Sequence, residues 1–204
     1  MQDQYRRLNK INMYDAIFKV VIFGDAGCGK TTLRKRYMTN QFISSLQGTI
    51  GIDFDTKILE IDGKEVKLLI WDFGGEERFR FIFPKYIYGA MGGILMYDIT
   101  NYSSFSHIGN WLSVIKETGE RFPIILIGAK SDLEDFREIS WREGKIASKL
   151  MDLKEFLESS SKTGENVKEA FTLLTRMMIN RMGIKAAENQ KSKSLIEIIE
   201  NKTY

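Results

Sequence analysis

The sequence has almost no cysteine, a single histidine, no long apolar run and little excess of charge. Cys28 is the only cysteine among 204 residues, which excludes an internal disulfide framework and favours a reducing compartment. No apolar run reaches the roughly 18–20 residues that cross a bilayer, and residues 1–10 lack the apolar centre of a signal peptide. We therefore expect a cytoplasmic protein that can be peripheral on membranes through partners.

The net charge and the histidine content bear on the possible partners and on the chemistry of the protein. The net charge is +3, from 30 Lys and Arg against 27 Asp and Glu, so it indicates neither nucleic acid nor a lipid surface as a partner. His107, the one histidine, falls in a helical pattern, and we expect it to have a surface role rather than a catalytic one.

What the chain does contain is an alternation of short apolar runs with helical periods. A hydrophobic fraction of 43% is enough for a full core. Two runs flank Asp62-Gly63, a hairpin signal, and a later helix is predicted to end at Gly183. The pattern predicts an α/β fold with a mostly parallel sheet of about six strands, one antiparallel edge strand and helices on both faces. The predicted strands are 18–23, 52–61, 65–71, 93–97, 123–127 and 153–157.

The two ends of the chain lie outside this alternation. We predict a flexible N-terminal extension at 1–17, one domain at 18–183 and a flexible C-terminal tail at 184–204.

The segment from Gly24 to Thr31 carries the strongest motif, because it matches G-x-x-x-x-G-K-[ST] between a predicted strand and a predicted helix. Glycines let backbone N–H groups converge on phosphate oxygens, and the helix N-terminus adds positive potential. Lys30 can reach the β- and γ-phosphates, and the Thr31 hydroxyl can bind Mg²⁺. The predicted phosphate-binding residues are Asp25, Ala26, Gly27, Cys28, Gly29, Lys30, Thr31 and Thr32.

A second motif bears on the base. Asp132 follows the predicted strand at 123–127, where its carboxylate can accept from the N1–H and exocyclic amine of guanine. Adenine presents a different edge, so this residue favours a guanine nucleotide. The aliphatic stem of Lys130 can lie over the plane of the base.

Further motifs follow in a fixed order, and together they identify a family. They are Gly-Thr-Ile-Gly-Ile-Asp-Phe at 48–54, Trp-Asp-Phe-Gly-Gly-Glu-Glu-Arg-Phe-Arg at 71–80, Tyr-Asp-Ile-Thr at 97–100 and Glu-Ser-Ser-Ser-Lys-Thr-Gly at 158–164. From about 18 to 182 the chain resembles small GTPases of the Ras superfamily, and within it most closely the Rab family. The resemblance implies the P-loop NTPase fold of the small GTPases.

The resemblance also implies roles for individual residues. Thr49 would bind Mg²⁺ and contact the γ-phosphate, Asp72 would hold Mg²⁺ through water, and the Gly75 N–H would meet the γ-phosphate. The metal set is thus Thr31, Thr49 and Asp72, and the catalytic set is Lys30, Thr49, Gly75 and Glu76. The remaining nucleotide contacts would be Phe42 at the edge of the base and Ser160, Ser161 and Lys162 at the guanine oxygen.

Such a protein is a switch. Loss of the γ-phosphate removes contacts from both switch loops, at about 42–54 and 72–88, so both relax together. We expect effector, exchange-factor and GTPase-activating proteins as partners, no nucleic acid, and a monomer.

The chain departs from the family pattern at residue 76, at residue 129 and in its lack of later cysteines. Glu76 stands where the family has Gln, and a carboxylate cannot donate to the transferring phosphoryl group, so we expect slow GTP hydrolysis. Ala129 replaces the usual Asn, which predicts weaker guanine affinity and faster exchange. Cys28 is not such a departure and carries little information, but it precedes a helix N-terminus, a setting that can depress thiol pKa and so allow redox sensitivity. No cysteine follows Cys28, so no lipid anchor is expected.

Three functions fit these observations to different degrees. The leading hypothesis is a Mg²⁺-dependent GTPase switch. The alternative is a hydrolysis-impaired, GTPase-like binding module or scaffold, because positions 76 and 129 are altered. A different P-loop enzyme, such as a nucleotide kinase, would leave the Asp132 motif unexplained.

Overall fold

The structure is a computed structural model that describes residues 14–44, 49, 51–75 and 82–200, with side chains described as far as 183. Six strands and six α-helices alternate along these residues, together with a short 3₁₀ turn at Glu134–Phe136. The strands are β1 (Ala16–Gly24), β2 (Ile52–Ile61), β3 (Lys64–Phe73), β4 (Gly92–Asp98), β5 (Ile124–Ala129) and β6 (Glu155–Ser159). The helices are α1 (Lys30–Thr39), α2 (Phe83–Ile87), α3 (Tyr102–Ser106), α4 (Ile108–Glu117), α5 (Trp141–Leu150) and α6 (Val167–Glu200).

The strands form one sheet in the order β2-β3-β1-β4-β5-β6. Only the β2–β3 pair is antiparallel, and the other four neighbouring pairs are parallel. This arrangement confirms the predicted α/β fold. Because the parallel strands share one direction, the loops after β1, β4, β5 and β6 meet at the same edge of the sheet.

The core lies on both faces of the sheet, because successive residues of β1 point to opposite sides. Val20 and Ile22 pack in a cluster that includes Leu33 of α1 and Phe171 of α6. On the other face, Phe23 joins a cluster with buried residues of α4, among them Trp111.

The turn between β2 and β3 confirms the predicted hairpin. Asp62 and Gly63 have φ values of 51° and 73°, the left-handed pair that a two-residue type I′ turn requires. Aspartate and glycine tolerate this conformation better than most residues do, so the turn follows directly from the sequence.

Two helix predictions need correction. The helical pattern that includes His107 is divided at this residue, which lies between α3 and α4. The helix predicted to end at Gly183 continues to Glu200. Gly183 does not adopt the left-handed φ of a helix-ending glycine, and a glycine inside a helix costs only about 1 kcal/mol relative to alanine. The division into 1–17, 18–183 and 184–204 stays a prediction.

Among the helices that the structure describes, none is both long enough and apolar enough to cross a bilayer.

Candidate nucleotide site

The loop between β1 and α1 has the backbone that its glycines predict. Gly24, Gly27 and Gly29 have φ values of 134°, 78° and 92°, in the region that disfavours residues with a side chain. A Cβ at position 24 would also collide with the carbonyl group of Met96 on β4. The glycines therefore let the chain turn tightly from the buried strand into the N-terminus of α1, the geometry of a phosphate-binding loop.

Lys30, the first residue of α1, is buried beneath this loop. Its Nζ donates to the carbonyl oxygen of Asp25 at 2.7 Å, and only 6% of the residue is exposed. Gly75 packs against the same place, because a Cβ there would collide with Lys30 Nζ and with the backbone at 24–25. The second predicted switch thus reaches the phosphate loop at the residue expected to bind phosphate.

The three predicted metal-binding residues come from three separate segments. The hydroxyl oxygens of Thr31 and Thr49 lie 2.6 Å apart. Asp72 is fully buried, and in the described part of the chain neither of its carboxylate oxygens accepts a hydrogen bond. Hydroxyl and carboxylate oxygens are the ligands that Mg²⁺ prefers, and it usually takes only one or two carboxylates from a protein. These residues fit a Mg²⁺ ion.

The charge state of Asp72 depends on its neighbours. Burial raises the pKa of this carboxyl group, while Thr31, Arg34 and Lys30 act in the opposite direction.

No group of three His, Cys, Asp or Glu side chains that could hold a metal ion occurs among the described residues. A metal here would therefore rely on the two hydroxyl groups and the single carboxylate of Asp72, together with the phosphates of a nucleotide.

A cavity of about 320 Å³ lies beside the phosphate loop at the carboxyl ends of β5 and β6. Its volume is within the range of small-molecule sites. Ala129, the last residue of β5, contributes to its wall and is 4% exposed. The cavity collects six of the predicted nucleotide-binding residues besides Gly29, namely Thr32, Phe42, Lys130, Asp132, Ser161 and Lys162.

Asp132 is held by the loop that follows the neighbouring strand. Ser160 Oγ donates to Asp132 Oδ1 at 2.5 Å, and Lys162 Nζ lies 3.8 Å from Asp132 Oδ2. Because β5 and β6 are parallel neighbours, their following loops emerge side by side. The carboxylate predicted to select the base is therefore fixed in orientation by residues predicted to contact the same base.

Lys130 depends on Asp98, which belongs to the motif at 97–100 but was assigned no role from the sequence. Its φ is 66° and its Nζ pairs with Asp98 Oδ2 at 2.6 Å. Asp98 Oδ1 accepts from both the N–H and the hydroxyl of Thr100, at 2.9 and 2.8 Å. Asp98 is the last residue of β4. Its position at a strand end beside the nucleotide loops is the sequence feature that could have indicated its role.

A second unexpected partner is His107. Its Nδ1 lies 2.6 Å from Asp25 Oδ2, and Trp111 Nε1 donates to Asp25 Oδ1 at 2.8 Å. His107 is partly exposed, as a surface role requires, but it also anchors the phosphate loop to the start of α4. No sequence signal connects residues this far apart.

Cys28 contradicts the expectation of a redox-sensitive thiol. The residue is 1% exposed, and burial raises the pKa of its thiol despite the nearby ammonium of Lys30. A buried thiol of this kind is inert rather than reactive. Cys28 lies inside the phosphate loop as predicted, but the prediction of a depressed thiol pKa and redox sensitivity was wrong.

Some predicted residues lie outside the described part of the chain. These are Glu76 and portions of both switch loops, at 45–48, 50 and 76–81. The roles assigned to the individual site residues stay predictions. The predicted residues that the structure describes lie at the phosphate loop, next to it, or around the cavity beside it.

Comparison with known proteins shows the family of the chain. The model of the Ras family matches residues 19–180. GTP-binding protein ypt2 of Schizosaccharomyces pombe is 44% identical over 164 residues, which cover 80% of this chain and 82% of that protein. Ras-related protein Rab-8B of Bos taurus is 40% identical over 193 residues, 93% of each chain. Ras-related protein Rab-8 of Diplobatis ommata is 41% identical over 177 residues, 86% of this chain and 84% of its own. The chain therefore belongs to the Ras family of GTP-binding switch proteins, as a Rab-like small GTPase.

Proposed function

We propose that the protein binds GTP and GDP with Mg²⁺ at the site between the phosphate loop and Asp132, and that it hydrolyses GTP slowly. The observation that carries this proposal is the contact of both predicted switches with the phosphate loop, Thr49 through Thr31 and Gly75 through Lys30. Two segments that meet at the expected γ-phosphate position can both respond to its loss.

Different residues would bind the phosphates, the metal ion and the base. Lys30 and the loop N–H groups would bind phosphate oxygens, and Thr31, Thr49 and Asp72 would hold Mg²⁺. When bound, Mg²⁺ supplies charge neutralisation to the phosphates. Buried Asp72 and the hydroxyl pair support this assignment by their oxygen chemistry.

The base would be bound at the other end of the site. Asp132, fixed by the hydroxyl of Ser160, would accept from the guanine N1–H and amine. Lys130 is held by Asp98, which leaves its aliphatic stem for the face of the base. Phe42 lines the same cavity and would pack against the edge of the base.

Slow hydrolysis follows from the identity of residue 76. Glu76 directly follows Gly75 and can accept from an attacking water, but it cannot donate to the transferring phosphoryl group. It also adds negative charge beside a negative centre. We expect the Glu76→Gln variant to raise the single-turnover rate by about tenfold or more, because a hydrogen bond to a charged group contributes about 1.5–3 kcal/mol. Equal rates for the two proteins would contradict this account.

The alternative function is a nucleotide-dependent scaffold that hardly hydrolyses GTP, and the same altered residue favours it. Identification of the nucleotide released on denaturation, followed by GTP turnover with and without Mg²⁺, separates the two. Bound GDP with Mg²⁺-dependent turnover supports the slow GTPase. Retained GTP without turnover supports the scaffold, and an empty site contradicts both.

Partner proteins would bind at the switch loops. Phe54 on β2 is 59% exposed and stacks on Trp71 with ring centroids 5.6 Å apart. An exposed aromatic side chain on a rigid strand is typical of a protein-binding surface. We therefore propose that effectors and regulators contact this strand together with the predicted switches at 42–54 and 72–88.

A further inference from the structure

Three carboxylates share one face of the β2–β3 pair. Asp53 and Asp55 alternate along β2 and so point to the same side of the sheet. Asp53 also lies directly opposite Asp72 of β3 in the antiparallel register. Like charges in directly opposite positions destabilise a strand pair, so this face requires a cation.

Arg34 of α1 supplies that cation. Its side chain is completely buried, its Nη2 donates to Asp53, and its Nη1 donates to Asp55 at 2.6 Å. Its Nε lies 3.4 Å from Asp72 Oδ2, which makes an ion pair without hydrogen-bond geometry. The Arg34 guanidinium also holds the pKa of the Asp53 carboxyl below its usual value. One planar guanidinium therefore contacts all three carboxylates, which a lysine could not do.

The three predicted metal-binding residues lie on the segments that Arg34 joins. Thr31 belongs to α1 itself, three residues before Arg34. Thr49 lies three residues before the start of β2, the strand that Arg34 holds through Asp53 and Asp55. Asp72 lies on β3 and is paired with the guanidinium directly.

We propose that Arg34 is a positioning residue for the metal site, which holds β2 and Asp72 at the distance from α1 that Mg²⁺ binding requires. The inference rests on the proposed binding of a nucleotide with Mg²⁺. Groups that orient metal-binding side chains typically change metal affinity by about 10- to 100-fold when they are removed.

A purely neutralising role for Arg34 makes the opposite prediction. Removal of a positive charge beside Asp72 would by electrostatics alone attract Mg²⁺ more strongly. Loss of positioning would weaken Mg²⁺ binding instead, because the Thr49 segment and the Asp72 carboxylate would no longer be held at fixed places. The sign of the effect therefore distinguishes the two roles.

The test measures release of fluorescently labelled GDP over a range of Mg²⁺ concentrations. For Arg34→Leu we expect the Mg²⁺ concentration that half-maximally slows release to rise about tenfold or more. Asp55→Asn, at a partly exposed position that leaves the Asp72 pair intact, should produce a smaller rise. Arg176→Leu is the matched control, because it removes an Arg–Asp62 ion pair from the far end of the same hairpin and should leave the concentration unchanged.

Arg34→Leu is expected to lower the thermal midpoint, since it leaves three carboxylates together. A second variant, Arg34→Leu with Asp53→Asn and Asp55→Asn, removes that repulsion and should regain stability. It should still require more Mg²⁺, because Asp72 has not regained its partner. Recovery of the parent Mg²⁺ dependence in this variant would show a merely structural role and overturn the inference.

The remaining outcomes are equally decisive. A parent protein that binds no guanine nucleotide contradicts the proposed function, and the inference falls with it. A parent whose GDP release is slowed by Mg²⁺, together with Arg34 and Asp55 variants whose Mg²⁺ requirement is unchanged or lower, contradicts this inference alone.

Discussion

An asparagine at position 129 should slow the release of nucleotide from the proposed guanine site. Ala129 closes β5, and its carbonyl accepts from the Ile99 N–H at 3.1 Å, so its backbone is fixed. It contributes to the wall of the same cavity as Gly29 of the phosphate loop and Asp132 of the base loop. In the Ala129→Asn variant, the new side chain would therefore begin from a fixed position between these two loops.

The expected gain is that of one additional buried hydrogen bond. Leaving a buried donor or acceptor unpaired costs about 1–3 kcal/mol, which corresponds to about 5- to 150-fold in affinity. The Asn amide could pair with the base or connect the two loops, and either contact would favour the bound state. We expect the Ala129→Asn variant to bind GDP more tightly by a factor in this range, mainly through slower release.

The assay is release of labelled GDP in excess Mg²⁺, with equilibrium titration as a check. Ala129→Leu is the matched control, because the leucine side chain has the same number of heavy atoms and the same branching as asparagine but makes no hydrogen bond. Unchanged release from Ala129→Asn would refute the reasoning. An equal gain from Ala129→Leu would show that filling the cavity, rather than hydrogen bonding, tightens binding.

Two further predictions concern the base and the thiol. Asp132→Asn should weaken GDP binding by about 10- to 150-fold, the value of a hydrogen bond to a charged group, and isothermal titration should show it. An unchanged GDP affinity would exclude Asp132 from base binding. Because burial raises the pKa of Cys28, its thiolate fraction is lower at any given pH than that of a free cysteine. Alkylation of this single thiol at pH 8 should therefore be slow in the native protein and fast after unfolding, and equally fast native labelling would contradict its burial.

Strand positions were predictable because their signals are local. β1 ends in the apolar residues 20–23, which are buried on both faces of the sheet and are followed by the glycines of the phosphate loop. The Asp62-Gly63 turn was equally predictable, since both residues tolerate positive φ. Helix ends were less predictable. The stop expected at Gly183 failed because a glycine permits a left-handed conformation without imposing one.

The site divides in the same way. The positions of Asp132 and Lys30 beside the site could be predicted from the sequence, because a strand end and a motif place them, and their roles stay predictions. The hydrogen bond that holds Asp132 in place could not be predicted in this way. Ser160, its donor, lies 28 residues from Asp132, and only the parallel pairing of β5 and β6 brings the two residues together.

The sequence alone therefore determined the family and the sheet, and it predicted which residues bind the phosphates and the base, because each of these depends on residues within a few positions of one another. Tertiary structure alone decided that Arg34 pairs with carboxylates about 20 residues away, and that His107 reaches Asp25 across 82 residues. It also decided that Cys28 is buried. Burial and ion pairing depend on which surfaces the folded chain brings together, and no local pattern of residues specifies that.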